Sequence, residues 1–215
     1  MPAPRRFARE QLQIAALALV DDQGLSGLTM RSLASALGTG PMTIYNYVDG
    51  REGLEQLVTE AVMAEARWDS TVPDSWEDEV LAIAEGMWHA VRAHPHAIPL
   101  ILTRRSLDLA TLRPTEALLQ ALARSGRSAT ALLVAFRTVS GFITGYAQAE
   151  LVGPLSVARE EDLTTITDRI AALPPEQFPK LIEIAHAAAS SDPAAEFRAG
   201  VRIILGGLTR PDSLP

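Results

Sequence analysis

A short polar stretch near the N-terminus carries the side chains best suited to chemistry. Residues 39–48 read TGPMTIYNYV. If this stretch is a helix, Ile44 and Val48 lie four residues apart and both face inward. The remaining side chains then form an outer, mostly polar face: Thr43, Tyr45, Asn46 and Tyr47. The spacing therefore predicts a short helix that presents hydroxyl and amide groups to a partner.

The chemistry of these side chains fits duplex DNA. The hydroxyls of Thr43, Tyr45 and Tyr47 can donate hydrogen bonds to phosphates, and the Asn46 amide can pair with the edge of an adenine. Met42, or the methyl group of Thr43, can contact a thymine methyl. The alternative is that Tyr45 and Tyr47 are half-buried packing residues.

Three further helices are expected to position this stretch. Residues 8–23 have apolar residues at helical spacing, and Gly24 ends that helix. Thr29 is a natural N-cap for a second helix over residues 30–37, with Gly38 at its C-terminal cap. Pro41 fits the first turn of the third helix, because its missing N–H costs nothing there. Asp49 and Gly50 break the chain before a fourth helix over residues 51–68.

The two short helices, joined by a tight glycine-containing turn, predict a helix-turn-helix whose second member can enter a major groove. Helices in this order also occur in ordinary bundles, so packing alone is the other interpretation. The net charge of −7 argues against a protein coated with nucleic acid over its whole surface. The first quarter nevertheless contains a group of arginines: Arg5, Arg6, Arg9, Arg31 and Arg51.

Residues 28–34 (LTMRSLA), 43–48 (TIYNYV) and 51–57 (REGLEQL) together resemble the tetracycline-repressor (TetR) family of transcriptional regulators. The resemblance covers about the first third of the chain. It implies that Thr43, Tyr45 and Tyr47 hold the DNA backbone from the third helix, and that Arg51, where the family usually has lysine, does the same. It also makes Arg31 a candidate for a base or phosphate contact. The full predicted DNA-contacting set is Thr29, Arg31, Thr39, Gly40, Met42, Thr43, Tyr45, Asn46, Tyr47 and Arg51.

The remainder of the chain is also predicted to be helical, so the fold class is all-α. The expected helices span residues 76–94, 114–125, 129–152, 160–173, 176–189 and 193–208, with breaks at Pro95 and Pro99. The predicted division is a DNA-binding domain over 1–51, a connecting helix over 52–68, and an effector-binding and dimerisation domain over 69–215. Residues 69–73 form the expected linker, and residues 209–215 the expected frayed tail.

Gly141 and Gly145 inside the helix over 129–152 predict that another backbone approaches closely, since glycine costs about 1 kcal/mol relative to alanine in a helix interior. With the apolar last helix, this pattern favours a four-helix bundle between two subunits, as the family commonly forms. Packing within one subunit is the alternative. The residues of the last helix assigned to this bundle are Phe197, Val201, Ile204, Leu205 and Leu208.

Residues 94–145 loosely resemble the C-terminal domain of the tetracycline repressors, which implies a site for an unknown small molecule. Apolar walls with a few polar groups are typical of such sites. The predicted walls are Trp88, Phe136, Phe142 and Tyr146, and the predicted polar groups are His89, Arg92, Arg104 and Thr138. Each aromatic residue is alternatively an ordinary core residue.

Other functions are disfavoured by the sequence. The chain has no cysteine, and His89, His94 and His96 lack the spacing of a metal site, so neither a metal nor a cofactor is predicted. No catalytic motif is recognisable, so an enzyme is not expected. No segment approaches a membrane span, and Asp21-Asp22 argue against an export signal, so a cytoplasmic protein is expected.

The expected function is a homodimeric repressor that leaves a palindromic operator when an effector binds. A ligand-free architectural DNA-binding protein is the rival interpretation.

Overall fold

The structure is a computed structural model that describes residues 7–69, 75–103, 107–152 and 163–208. Every regular element within these ranges is a helix, which confirms the all-α prediction. In chain order they are α1 Arg9–Gly27, α2 Met30–Ala36, α3 Pro41–Ile44, α4 Gly50–Ala64, α5 Trp76–Ala93, a 3₁₀ turn Pro95–Ala97, α6 Ile98–Thr103, α7 Leu109–Ala123, α8 Ala129–Val152, α9 Leu163–Ala171, α10 Pro179–Ala188 and α11 Pro193–Leu208.

The boundaries of the first helices follow the local signals in the sequence. Gly24 adopts φ 68° inside α1, so regular α1 geometry stops at the predicted residue even though hydrogen bonding continues to Gly27. Thr29 caps α2 as predicted, because its Oγ1 accepts a hydrogen bond from Ser32 N at 3.0 Å. Gly38 has φ 62° just after α2, where a left-handed residue ends the helix.

The fourth helix differs from the prediction at its C-terminus. It ends at Ala64 rather than at Trp68. The Arg67 side chain donates to the carbonyls of Ala64 and Ala66, which satisfies acceptors that the next helical turn would otherwise use. The chain then crosses α5 at Gly86, where a Cβ atom would lie only 2.2 Å from Arg67 O. Close packing of the backbone on α5 therefore replaces the last predicted turn.

The fourth helix is buried on more than one face. Leu54, Leu57, Val58 and Ala61 are buried, as the predicted apolar face requires. Glu55, Thr59, Glu60, Val62 and Met63 are buried as well. The reason is that α4 packs on α1 and α2 on one side and on α5, α6 and α7 on the other. It is thus the element that joins the N-terminal helices to the rest of the chain.

The second half confirms some predicted helices and corrects others. The predicted limits of α8 and α11 are confirmed, and α5 ends one residue earlier than predicted. The predicted break at Pro99 is wrong, because Pro99 is the second residue of α6, where no N–H is needed. The predicted start at Pro114 is also wrong: α7 begins at Leu109 and contains Pro114. Helices α9 and α10 are shorter within the described residues, and α10 begins at Pro179.

The last helix packs mainly inside its own subunit. Phe197, Val201 and Leu205, which the sequence assigned to a subunit interface, are buried against α5 and α8. That assignment is therefore wrong for these three residues. The outward face of α11 instead carries Ile203, whose exposed fraction is 77%.

Helix α8 corrects the expectation that no segment approaches a membrane span. Residues Ala129–Glu150 are long and apolar enough to cross a membrane by length and composition. The core helices of soluble proteins can have the same length and composition. Its buried residues pack on α5, α6, α7 and α11, and recur every four residues: Ala131, Ala135, Val139, Ile143 and Ala147.

Candidate functional site

Helix α3 presents the outer face that the sequence predicted. Ile44 is fully buried and Val48 nearly so, which anchors the stretch to the core of the N-terminal helices. Met42 is 76% exposed and Tyr45 is 54% exposed. Tyr45 is also absent from the half-buried residues that pack against the core, which disfavours the packing alternative for its ring. Although α3 itself is four residues long, the hydrogen bonds Asn46 N to Thr43 O and Val48 N to Ile44 O, both 3.2 Å, continue the turn to Val48.

The N-terminal end of α3 is shaped by a threonine pair and a glycine. Thr39 Oγ1 donates to Thr43 Oγ1 at 3.0 Å, so the two hydroxyls lie together beside the helix start. Gly40 is the N-cap, has no side chain, and is exposed together with Pro41. Arg31 is exposed at the start of α2. Arg31 thus lies in the first turn of α2 and Gly40 at the start of α3, where the first backbone N–H groups have no acceptor within the helix.

Tyr47 is more enclosed than its neighbours. Its ring is half-buried and meets the Phe7 ring edge-on, with 6.2 Å between the centroids. Its hydroxyl oxygen accepts a hydrogen bond from Phe7 N at 2.9 Å. The packing interpretation thus fits Tyr47, while the predicted phosphate contact remains a prediction.

Arg51 directs its guanidinium into the protein. Its Nε donates to Glu55 Oε1 at 2.6 Å, and its two terminal nitrogens donate to Leu28 O at 2.5 Å and Leu25 O at 2.9 Å. The Glu55 side chain is almost fully buried. Arg51 therefore ties the connection between α1 and α2 to the first turn of α4. Its predicted phosphate contact also remains a prediction.

A buried carboxylate that sequence reasoning missed holds α1 against α4. Glu60 is fully buried, and its two oxygens accept hydrogen bonds from Arg9 Nη2 and Nε, both at 2.8 Å. Gln13 Nε2 donates to the same carboxylate at 2.8 Å. The hydrogen bond to Glu60 is the largest influence on the pKa of Arg9 and raises it, whereas partial burial of the guanidinium acts in the opposite direction. Arg9 therefore stays charged, and the helix-turn-helix is fixed to α4.

In the larger half, four aromatic rings pack together between α5, α8 and α11, some stacked and some edge-on. The aromatic cluster consists of Trp88, Phe142, Tyr146 and Phe197. The Trp88 and Phe197 rings are stacked with centroids 4.7 Å apart, and Phe142 and Phe197 lie 5.4 Å apart. Tyr146 meets both Trp88 and Phe197 edge-on. Three of the four predicted wall residues thus come together around Phe197, which the sequence had placed at a subunit interface.

Two side chains of opposite charge, Arg92 and Glu150, lie beside the aromatic cluster. Trp88 Nε1 donates to Glu150 Oε2 at 2.8 Å, and Arg92 Nε lies 3.2 Å from Glu150 Oε1. The Arg92 guanidinium also lies 5.2 Å from the Trp88 ring centroid, within cation–π range. Tyr146 donates its hydroxyl hydrogen to Glu196 Oε2 at 2.8 Å; burial first, and then this bond, raise the pKa of the phenol. Tyr146 is therefore a neutral donor.

The comparisons with known proteins decide the family. A family model described as "Tetracyclin repressor-like, C-terminal domain" matches residues 70–211, about two thirds of the chain. This chain belongs to the TetR family of transcriptional regulators. Its N-terminal helix-turn-helix, which lies outside that match, agrees with the assignment.

Three similar proteins come from Streptomyces species. The HTH-type transcriptional repressor DrrR1 of Streptomyces coeruleorubidus is 29% identical over 138 residues, which are 64% of this chain and 51% of DrrR1. The chain thus spans about half the length of this curated relative. The solved structure of SCO7222, a TetR from Streptomyces coelicolor, has a TM-score of 0.78 and 30% identity, covering 94% of this chain and 98% of that one. ActR from the same organism, solved in complex with actinorhodin, has a TM-score of 0.77 and 25% identity, covering 96% and 97%.

Within this TetR-family fold, the predicted ligand residues separate into groups. Arg92 joins the aromatic cluster through Glu150, and exposed His89 lies beside the Trp88 ring with centroids 4.6 Å apart. Phe136 is half-buried on α8 and packs against the core. Thr138 is exposed, donates to Val134 O of its own helix, and lies on the face of α8 that carries Gly141 and Gly145. Arg104 lies outside the described residues.

Glu150 and Glu196 were missed by sequence reasoning. A signal for Glu150 was present, since Phe142, Tyr146 and Glu150 follow one another at intervals of four residues and must share one face of α8. No local pattern indicates Glu196, because its contact with Tyr146 depends on how α11 packs on α8.

Proposed function

We propose that this chain is a cytoplasmic, homodimeric transcriptional repressor that binds a palindromic operator and releases it when a small molecule binds the helical domain. The observation that carries the DNA-binding part is the exposed face of α3. Two buried anchors, Ile44 and Val48, fix its orientation, while Tyr45 and Met42 are left in solvent. Solvent-exposed aromatic and apolar side chains on so short a helix have no packing role within the described chain, and they suit a partner surface.

The exposed groups divide into two kinds of contact. Asn46 and Met42 are suited to base edges in the major groove, since an amide pairs with adenine and an apolar side chain contacts a thymine methyl. The proposed backbone contacts come from hydroxyls, backbone N–H groups and one cation: Thr29, Arg31, Thr39, Gly40, Thr43 and Tyr45. We assign Tyr47 and Arg51 a supporting role, because their polar atoms already bond to Phe7 and to the connection between α1 and α2.

The dimer is supported by the outward face of α8. Gly141 and Gly145 are exposed, and apart from the adjoining backbone of α8 no atom of the described chain lies within 4 Å of where their Cβ atoms would be. Exposed Val134 lies on the same side of the helix, and Ile203 is exposed on neighbouring α11. A second copy of the chain would cover these apolar groups, and the glycines would allow its backbone to approach closely. A twofold axis through this face would place two α3 helices on half-sites about one turn of DNA, or a multiple of it, apart.

The aromatic cluster supports an effector site in the helical domain. Trp88 and Phe197 are fully buried, but half-buried Phe142 and Tyr146 leave an accessible apolar edge beside Arg92 and Glu150, and apolar surface with a few oriented polar groups is typical of small-molecule sites. ActR, which has a similar fold, was solved in complex with actinorhodin. For this chain we infer an aromatic effector that enters beside the cluster and shifts α4, which lies between the two halves.

An in vitro selection from random duplex DNA tests the DNA-binding proposal. The native protein is compared with a Tyr45→Ala, Asn46→Ala variant (the α3 variant), which changes only two exposed side chains directly after α3, and with Gln120→Ala as a control on the exposed side of α7. We expect a palindrome from the native protein and from the control, and no enrichment from the α3 variant. The same palindrome from all three proteins would refute readout by α3, and no palindrome from any of them would refute the function.

A further inference from the structure

The turn after α5 contacts the N-terminal helices through the side chains of two histidines, His94 and His96. His94 follows the last residue of α5, and its side chain is only 12% exposed. Its Nδ1 lies 2.8 Å from Asp21 Oδ2 and 3.0 Å from Oδ1, near the C-terminal end of α1. Its Nε2 lies 2.9 Å from Glu65 Oε2, at the C-terminal cap of α4. The imidazole thus bridges two carboxylates that belong to two different helices.

The chemistry of imidazole determines what this bridge requires. A neutral ring has one N–H donor and one acceptor nitrogen, whereas the imidazolium cation has two donors. Carboxylates only accept when ionised, so a neutral ring can bond to one of the two acids and places its lone pair against the other. Both short contacts are satisfied only by the charged ring. The bridge is therefore a property of one protonation state.

We propose that His94 is a positioning residue that fixes the helix-turn-helix domain against the helical domain. The contact of His94 with Asp21 and Glu65, called the joint below, loosens when the ring loses its proton. The segment has a second contact of the same kind, because His96 Nδ1 lies 3.1 Å from Val20 O and 3.2 Å from Asp21 O. Those are carbonyls near the end of α1. Both histidines therefore hold the same part of the N-terminal domain, but only His94 does so through two acids.

The charges around the joint support the charged form of His94. Burial lowers the pKa of the ring, but the hydrogen bonds from Glu65 and Asp21 outweigh it, so the pKa is raised above the usual 6.5. Asp22 on α1 adds a further negative charge nearby in sequence. The neighbouring cations are occupied elsewhere: Arg92 pairs with Glu150, and Arg67 donates to carbonyls after α4. The described part of α6 contributes no charged residue.

The direction of the pH effect follows from the raised pKa. The stabilising contribution of the bridge is fully present below the pKa of the unfolded histidine, about 6.5. It is lost as the pH rises through the higher pKa of the folded state. The joint is therefore closed below about pH 6.5 and opens as the pH rises through the raised pKa of His94.

Two measurements test the proposal on the full chain. In the first, NMR titration of the His94 ring is compared between the native protein and an Asp21→Asn, Glu65→Gln variant. We expect a pKa above 6.5 in the native protein and below 6.5 in the variant, because burial then acts without the acids. A native His94 that titrates at or below 6.5 would overturn the assignment of the charged bridge.

The second measurement follows the joint itself. Since the sequence contains no cysteine, Ser35→Cys on α2 and Gln120→Cys on α7 give two exposed label sites without background. Spin-label distances are measured in labelled protein diluted with unlabelled protein, so that pairs between subunits do not contribute. We expect a narrow distribution at pH 6 that broadens at a pH above the His94 pKa found by NMR. We expect a broad distribution at both pH values for His94→Gln, and native behaviour for His186→Gln on exposed α10.

The outcomes separate a positioning role from a merely structural one. If His94→Gln keeps the native, narrow distribution at pH 6, the histidine does not position the domain. If the distribution of the native protein is the same on both sides of the His94 pKa, the joint does not depend on the proton. Either result overturns the proposal, and neither depends on whether an operator or effector has been found.

Discussion

Arg51→Ala should lower the affinity for the operator without changing how that affinity depends on salt. The guanidinium donates to Leu25 O, Leu28 O and Glu55 Oε1, so it holds the connection between α1 and α2 on α4. Removing it would let the helix-turn-helix shift and would leave the buried Glu55 carboxylate without this donor. A phosphate ligand behaves differently, because each neutralised phosphate releases counterions and contributes about 0.9 to the slope of log K against log salt.

The magnitude follows from the three hydrogen bonds. Bonds to charged groups contribute roughly 1.5–3 kcal/mol each when fully buried. The Arg51 side chain is 46% exposed, so water competes for its donors and reduces this value. We expect the free energy of unfolding to fall by about 2 kcal/mol in total, which corresponds to roughly a thirtyfold change in the folded-to-unfolded ratio.

Fluorescence anisotropy with the selected operator, repeated across a series of potassium chloride concentrations, measures the slope, and urea unfolding measures the stability. Arg31→Ala is the matched control, since Arg31 is exposed at the start of α2. It should lower the slope by about 0.9 and leave the unfolding curve unchanged. An Arg51→Ala protein of native stability whose slope falls by about 0.9 would show that Arg51 is a phosphate ligand and that our assignment is wrong.

Three other changes follow from packing. Gly86→Ala should lower the free energy of unfolding by about 1–3 kcal/mol, because the added Cβ would lie 2.2 Å from the backbone oxygen of Arg67. Urea unfolding measures this change, and a variant of native stability would contradict the prediction. Gly141→Ala meets no atom of the described subunit, so it should preserve the fold but raise the dimer dissociation constant in sedimentation equilibrium, and an unchanged constant would place the interface elsewhere. Arg9→Ala should lower the free energy of unfolding by about 2 kcal/mol in calorimetry. Arg9→Lys keeps the charge beside Glu60, so it should lower this free energy by less. Equal losses in the two variants would argue against an ion-pair role.

The helix-turn-helix was predictable because its signals are local. Thr29 caps a helix through a residue three positions away, Gly24 and Gly38 take left-handed conformations that other residues avoid, and Pro41 fits only a first turn. Ile44 and Val48 share a face through helical geometry alone. Each of these features depends on a window of a few residues, so one sequence is sufficient to infer it.

The rest could not be predicted, because it depends on contacts distant in sequence. Pro114 is tolerated inside α7, where its side chain is buried, and no local rule indicates this. The end of α4 depends on the passage of the chain over Gly86. Arg51 faces the protein only because Leu25 and Leu28 bring their carbonyls to it from more than twenty residues away. Local sequence patterns identify which side chains are chemically able to act, whereas tertiary packing decides which are already engaged.

The contacts at the two ends of α1 constrain how any signal reaches DNA. Near its start, Arg9 and Gln13 bond to Glu60, so α1 and α4 are held together by a buried carboxylate. Near its end, Asp21 meets His94 of the helical domain in a shallower, pH-sensitive contact. The buried bond is the stronger constraint, since breaking it leaves a desolvated charge. We therefore infer that α1 and α4 move as one body, and that the contact with His94 is one of the places where this body meets the helical domain.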